Sequence, residues 1–160
     1  MKRIDTDICV IGAGSGGLSV AAGAVQMGAR IVLIEAGEMG GDCLNTGCVP
    51  SKALIAAAKA AEAQRRGFRG VSPVDPQVDF GAVKDHVAAV IARIAPVDSQ
   101  QRFEDLGCTV IRAFARFTGP REVQAGDTTI RARRFVIATG SRPLVPQIQG
   151  IDSVPYLTNE

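Results

Sequence analysis

Two cysteines, Cys43 and Cys48, are the residues whose type and spacing most directly predict chemistry in this sequence. They lie in the segment GGDCLNTGCVPSKAL. In a regular helix, thiols at this spacing would hold their Cα atoms beyond the ~7 Å limit for a disulfide, but the loose backbone around Gly47 allows a strained ring to close. Pro50 suits the first turn of a following helix, which places Cys48 beside a helix N-terminus, where a thiolate is favoured. The segment therefore predicts redox or metal-binding chemistry.

The residues near the thiols leave two interpretations open. Lys52 follows Cys48 by one helical turn and lies on the same face of the helix. A cation in the first turn of a helix is locally unfavourable, which indicates that Lys52 interacts with another charge. The alternative is a solvated lysine side chain. A zinc site is the rival interpretation of the thiols. It needs two more ligands, and the candidates are Cys9, which belongs to a core strand, Cys108, which precedes a strand, and His86, which lies on a helix among valines. We therefore predict no metal site.

A glycine cluster supplies the second set of candidate residues. Gly12, Gly14 and Gly17 fit the pattern GxGxxG between a buried strand, Ile8–Ile11, and an Ala-rich helix, and Glu35 ends the next strand. Such a β-α-β unit binds dinucleotides: the glycines allow a tight turn, close approach of the pyrophosphate and close helix packing. The helix N-terminus attracts the phosphates, and the acidic side chain accepts hydrogen bonds from an adenosine ribose. The motif does not separate FAD from NAD, and a glycine-rich turn without a ligand is the alternative.

The remaining chain predicts helices followed by short strands. One helix is expected from Ser51 to about Arg66, a second carries apolar residues at helical spacing until Pro96 ends or kinks it, and a short third reaches Leu106. From Thr109 onward, strand-forming segments separated by glycine-containing turns predict a β-meander. The coarse class is α/β with an appended meander.

Composition excludes several functions. The net charge is +2, aromatic residues make up 4% of the chain and Trp is absent, so a nucleic-acid partner is not expected. No signal peptide and no membrane-spanning apolar stretch is recognised, so the chain is expected in the cytoplasm without membrane association. In a reducing compartment, four cysteines do not form a structural disulfide framework, which again favours a redox role for the close pair.

The cysteine segment resembles that of the flavin- and disulfide-dependent pyridine-nucleotide oxidoreductases, a family that includes dihydrolipoamide dehydrogenase, glutathione reductase and mercuric reductase. Their pattern is close to GGTCxNxGCxPSK, and Ser51 is more similar to the dihydrolipoamide and mercuric branches. The resemblance implies that Cys48 lies against the flavin and that Cys43 is the thiol that meets the substrate. It also implies FAD bound by the glycine fingerprint, by Glu35 and by three residues around the cysteines, which are Gly41, Asp42 and Lys52, the last near the flavin N5.

Two further segments resemble cofactor contacts of the family. The stretch FVIATGSRP, with Ala138, Thr139 and Gly140, is similar to its second FAD motif, and Ala115 matches a contact to the adenine. The sequence departs from the family where Ala113 replaces a glycine and where Asp42 replaces the more common threonine. The resemblance implies a Rossmann-like FAD/NAD(P)-binding fold with a parallel sheet, a helical hairpin and a β-meander.

The resemblance reaches from the first strand almost to the end of the chain but covers only the first part of the family. Residues 1–150 are expected to be the first, incomplete part of an FAD-binding domain, and 151–160 the start of a linker to an NAD(P)-binding domain. The full-length enzyme is expected to be a homodimer that passes electrons from NAD(P)H through FAD and the disulfide to a small-molecule disulfide or a soft metal ion. The chain alone is then expected to bind FAD weakly and not to turn over. The alternative is a stand-alone, non-catalytic FAD-binding or redox-sensing module; the cysteines argue against an NAD dehydrogenase half.

Overall fold

Six strands and five α-helices form the part of the chain, residues 2–159, that the computed structural model describes. The strands are β1 (Lys2–Ile11), β2 (Ile31–Glu35), β3 (Thr109–Arg112), β4 (Ala115–Gly119), β5 (Glu122–Ala125) and β6 (Thr128–Ile137). The helices are α1 (Ser15–Gln26), α2 (Gly41–Asn45), α3 (Cys48–Arg66), α4 (Phe80–Ile94) and α5 (Gln100–Asp105). No helix among these residues is long and apolar enough to cross a membrane.

The strands form one mixed sheet in the order β3-β2-β1-β6-β5-β4. The first four strands of this order are parallel, and β6, β5 and β4 form an antiparallel meander. The central strands β1 and β2 contain near-continuous apolar runs, as expected of parallel strands that are covered on both faces. The predicted Rossmann-like α/β class is confirmed.

The two faces of the sheet bury two separate apolar clusters. Because successive side chains of a strand point to opposite faces, the neighbours Cys9 and Val10 belong to different clusters. Val10 packs with Leu33 and with Phe103 of α5 on the helical side. Cys9 packs with Ile34 and with meander residues such as Ile130. The meander therefore shares its core with the parallel sheet instead of forming an appended unit.

The first strand is longer than the sequence indicated. It was expected over Ile8–Ile11, but it begins at Lys2 because its polar first half pairs with β6, with Lys2 opposite Thr128. Thr6 is buried there, and its hydroxyl donates to the carbonyl oxygen of Arg30 at 2.7 Å. A polar stretch thus becomes a strand through a partner that is distant in sequence.

The helical hairpin α3–α4 is largely exposed, and its one buried residue lies near the start of α3. Helix α3 begins at Cys48 and not at Ser51 as expected, while α4 ends at Ile94, directly before the turn that contains Pro96, as expected. Ala53 is the buried residue of α3, and α4 has none. Of the predicted linker 151–160, the described part contains one 3-10 turn, Ile151–Ser153, and residue 160 lies outside the described range.

Candidate redox and nucleotide site

A cavity of about 960 Å³ lies where β1, β2 and β6 end. Its wall includes the last residues of β1 and β2 and the residues that follow β6, such as Gly12, Glu35 and Ala138. Open α/β sheets bind ligands outside the carboxyl ends of their parallel strands. The volume is near the upper end of the ~300–1,000 Å³ range of ligand pockets, which suits a large, extended molecule.

Two positions, one in the turn between β1 and α1 and one in the first turn of α1, have room for glycine but for no residue with a Cβ atom. Gly12 has a φ of +105°, and a Cβ atom there would overlap the carbonyl oxygen of Ala138. A Cβ at Gly17 would overlap the carbonyl oxygen of Gly12. The first glycine therefore allows β1 and the segment after β6 to meet, and Gly17 allows α1 to pack on the turn.

The N-terminus of α1 faces the cavity through small residues. Gly14 is the N-cap of α1, and Ser15 and Gly16 of its first turn line the cavity. Gly41 lies opposite, and a Cβ on it would be 2.7 Å from the Cα of Gly14. The unpaired N–H groups and the positive dipole end of a 12-residue helix are suited to bind phosphate.

The carboxylate of Glu35 is fixed by the backbone around it. One oxygen, Oε2, accepts from the N–H of Ala13 at 2.5 Å, and Oε1 accepts from the N–H of Gly37 at 2.6 Å. Ala13 is fully buried, whereas Glu35 is half-buried and lines the cavity. The carboxylate thus joins the glycine turn to the loop after β2 and still borders the cavity.

Cys43 and Cys48 form a disulfide across the break between α2 and α3. Their Cα atoms are 4.7 Å apart, within the usual range for such a bond. The N–H groups of Thr46 and Gly47 both donate to the carbonyl oxygen of Asp42, which turns the chain back and brings the two cysteines together. Cys43 is half-buried and lines the cavity, and Cys48 is exposed.

Comparison with known protein families identifies the family to which this chain belongs. A family model described as pyridine nucleotide-disulphide oxidoreductase matches residues 6–159. The chain belongs to this family. The resemblance stated from the cysteine segment is therefore confirmed.

Several curated members of the pyridine nucleotide-disulphide oxidoreductases are similar to the chain over most of its length. Mercuric reductase from Streptomyces lividans is 37% identical over 161 residues, which cover 96% of this chain and 34% of the relative. Dihydrolipoyl dehydrogenase from Thermus scotoductus is 38% identical over 143 residues, which cover 86% of this chain and 30% of the relative. The chain thus spans about a third of the length of these relatives.

A solved structure of the same kind supports the fold. The HOCl-induced flavoprotein disulfide reductase RclA from Escherichia coli, solved as a Cu(II) complex, superposes with a TM-score of 0.74 at 25% identity. The superposition covers 93% of this chain and 31% of RclA.

Most of the residues expected to contact a cofactor in this chain lie around one cavity. The cavity wall contains Gly12, Gly14, Glu35, Gly41, Asp42, Cys43, Ala115, Ala138, Thr139 and Gly140. Three of the predicted residues lie outside this wall: Gly17, Cys48 and Lys52, of which the last is exposed on α3.

Other residues of the site were not found from the sequence. The side-chain amide of Asn45 donates to the carbonyl oxygens of Met39 and Gly41, at 3.1 and 2.9 Å, and so fixes the loop that faces α1. Phe114 is 86% exposed and lines the cavity beside Ala115. Asn45 lies between the two cysteines, and this position in the sequence could have indicated its role in the site. Nothing in the sequence indicated that Phe114 lines the cavity.

The other two cysteines of the chain are separate from the site. Cys9 and Cys108 are buried free thiols. Burial raises the pKa of Cys9 to about 12 and raises that of Cys108. Among residues 2–159, no group of three or more His, Cys, Asp or Glu side chains is arranged to hold a metal ion.

Proposed function

We propose that the chain is the FAD-binding, disulfide-bearing part of a flavoprotein oxidoreductase that reduces a small-molecule disulfide or a soft metal ion. The observation that carries the proposal is the closed Cys43–Cys48 disulfide at the edge of a cavity large enough for a dinucleotide. FAD is favoured over NAD because a disulfide beside the cavity needs a partner that exchanges electrons with it, and a flavin does so.

The cavity wall fits FAD by its shape and by its chemistry. Backbone without side chains approaches the cavity at Gly12 and Gly41, where a Cβ atom would overlap neighbouring backbone. The N-terminus of α1 would hold the pyrophosphate, and Glu35 would hold the adenosine ribose. Ala115 would contact the adenine, and the segment Ala138–Gly140 would contact the middle of the cofactor. Lys52 is proposed near the flavin by family resemblance alone.

The two thiols would perform the reduction. Bound FAD would supply the transfer of two electrons between NAD(P)H and the disulfide. With these electrons and two protons, the Cys43–Cys48 bond opens into two thiols. The thiolate of Cys43 then attacks a sulfur of the substrate disulfide, and one substrate thiolate leaves. The thiolate of Cys48 attacks the Cys43 sulfur of this mixed disulfide, which releases the second substrate thiolate and closes the protein disulfide. The two protons lost by the protein thiols are taken up by the two substrate thiolates.

The proposed substrates are of two kinds, small-molecule disulfides and soft metal ions. Thiolates reduce disulfides and also bind soft metal ions, so the same pair suits both kinds of substrate. The relatives named above are a mercuric reductase and a dihydrolipoyl dehydrogenase. The resemblance at Ser51 favours the same two branches. We further propose that the whole protein is a cytoplasmic homodimer that uses NAD(P)H, that residues 1–150 form the first part of its FAD-binding domain, and that residues 151–160 begin a linker.

Cofactor preference is tested by calorimetric titration of the chain with FAD and with NAD. We expect tighter binding of FAD. Tighter binding of NAD would refute the proposal. Binding of FAD without any exchange of electrons between the flavin and the Cys43–Cys48 pair would favour the stand-alone binding or sensing module.

The roles of the two thiols are tested with a matched pair of variants. Cys48→Ser leaves Cys43 to form a mixed adduct with an aromatic disulfide, and Cys43→Ser leaves Cys48 to do so. If Cys48 lies on the flavin side, FAD should slow adduct formation at Cys48 more than at Cys43. The exposure of Cys48 in the structure is an observation in favour of the reverse assignment, and stronger protection of Cys43 by FAD would establish it.

A further inference from the structure

Arg112 makes a contact that connects the end of β3 with the loop after β2. Its guanidinium, through Nη2, donates to the carbonyl oxygen of Gly37. Arg112 and Glu35 are the last paired residues of the neighbouring parallel strands β3 and β2, and their Cα atoms are direct partners in the sheet. Paired residues on adjacent strands project to the same face, so Arg112 leaves the sheet beside Glu35.

The contact continues through the loop to the cavity. Gly37 accepts from Arg112 with its carbonyl oxygen and donates its own N–H to Oε1 of Glu35 at 2.6 Å. The other carboxylate oxygen accepts from Ala13 in the glycine turn. Arg112, Gly37, Glu35 and Ala13 therefore form one continuous chain of hydrogen bonds, and Glu35 is the member that borders the cavity together with Gly37.

We propose that Arg112 is a positioning residue for the adenosine end of the cofactor, and that it acts through Gly37 and Glu35. The inference rests on the proposed FAD site. Arg112 is not part of the cavity wall, so it influences the ligand indirectly. The far part of the loop is held by other contacts, such as the hydrogen bond from the Gly40 N–H to the carbonyl oxygen of Ala13. Gly37 is exposed and has no side chain, so the Arg112 contact is what holds this part of the loop, beside the hydrogen bond to Glu35 that it orients. Without this contact the carboxylate has more orientations to lose on binding, and affinity falls.

The experiment compares two flavins on the 160-residue chain. FAD contains adenosine, whereas FMN lacks it and keeps the flavin and a phosphate. Arg112→Ala should weaken FAD binding about fivefold to tenfold, the usual effect of one hydrogen bond, and leave FMN binding within about twofold. Arg131→Ala, on β6 and away from the cavity, removes the same charge and should change neither affinity. Equal weakening of FAD and FMN by Arg112→Ala would show an electrostatic or general structural effect and overturn the proposal.

A double-mutant cycle separates indirect from direct action. If Arg112 acts through Glu35, Arg112→Ala should have little further effect on FAD binding in the Glu35→Ala background. Additive losses would show that Arg112 contacts the ligand itself, and the proposed role would be wrong.

A measurement without ligand tests the effect of Arg112 on the loop independently of cofactor binding. Amide hydrogen exchange at Gly37 should accelerate in Arg112→Ala and stay unchanged in Arg131→Ala, because the first variant frees the loop. Unchanged exchange at Gly37 would overturn the proposal. If the wild-type chain binds FAD while Arg112→Ala binds it equally well, the proposed function stands and this inference fails; a wild-type chain that does not bind FAD refutes both.

Discussion

Removal of the Glu35 carboxylate should affect both the stability of the chain and its affinity for FAD. In Glu35→Ala the N–H groups of Ala13 and Gly37 lose their acceptor. A hydrogen bond to a charged group contributes about 1.5–3 kcal/mol, and the buried Ala13 N–H has no access to water, so most of this contribution is lost there. Gly37 is exposed, and water can replace the carboxylate at its N–H. We therefore expect a total loss of about 2–3 kcal/mol in the free energy of unfolding.

The assay is urea unfolding of the ligand-free variants, followed by titration with FAD. Glu35→Gln keeps one acceptor oxygen, which can serve Ala13, and should lose about 1 kcal/mol. Glu104→Ala removes an exposed carboxylate on α5 and should stay within about 0.5 kcal/mol of the wild type. FAD binding should weaken by about 1–3 kcal/mol in Glu35→Ala, because the ribose loses a charged hydrogen-bond partner.

Two results would refute the reasoning. If Glu35→Ala is as stable as Glu104→Ala, the hydrogen bonds from Ala13 and Gly37 do not stabilise the fold. If the stability falls as expected but FAD affinity does not change, Glu35 has a structural role and does not bind the ribose.

Three further predictions concern the packing and the ionisable groups. Gly17→Ala forces a methyl group against the Gly12 carbonyl and should destabilise the fold by about 1–3 kcal/mol in urea, whereas Gly16→Ala, which meets no neighbour within 4 Å, should not. Burial raises the pKa of Cys9 to about 12, so between about pH 9 and pH 12 only the thiol of the unfolded chain ionises. The wild type should therefore lose stability relative to Cys9→Ala as the pH rises through this range. A difference in unfolding free energy that does not change with pH would contradict this. Asp7 forms an ion pair with Arg30 at 3.2 Å, and hydrogen bonds from Arg30 lower the pKa of Asp7. The wild type should therefore be more stable than Asp7→Asn at pH 7, and this difference should disappear as the pH falls below about 4; a difference that persists in acid would exclude the ion pair as its source.

The local parts of the fold could be predicted because their causes are local. The glycine spacing after a buried strand predicts the turn and the start of α1, because the backbone at Gly12 and Gly17 leaves no room for a Cβ atom. Pro96 marks the end of α4 because it cannot continue the helical hydrogen bonds. The spacing of Cys43 and Cys48 allowed a disulfide because the intervening residues break the helix.

The parts that depend on distant partners could not be predicted in the same way. The polar residues from Lys2 to Asp7 form a strand only because β6 lies beside them. The contact between Arg112 and Gly37 joins residues 75 positions apart, and an arginine at the end of a strand gives no sign of its partner. Both features follow from tertiary pairing, which a single sequence does not display. Helix α3 begins at Cys48, three residues before the expected Ser51, with Gly47 as its N-cap.

The exposure of the α3–α4 hairpin should make its opening depend on the oxidation state of the thiols. Ala53 near the start of α3 is the hairpin's buried residue, whereas its far end, with Arg66 and the connection to Phe80, is largely exposed and is closed by backbone hydrogen bonds such as that from the Val74 N–H to the carbonyl oxygen of Gln64 at 2.9 Å. The disulfide ties the first residue of α3 to α2 and restrains this opening at its base. Reduction removes the restraint, so the reduced hairpin should open more often, and trypsin should cut after Arg66 or Arg69 faster than in the oxidised chain. Proteolysis of a distant connection would then report the redox state of the cysteines.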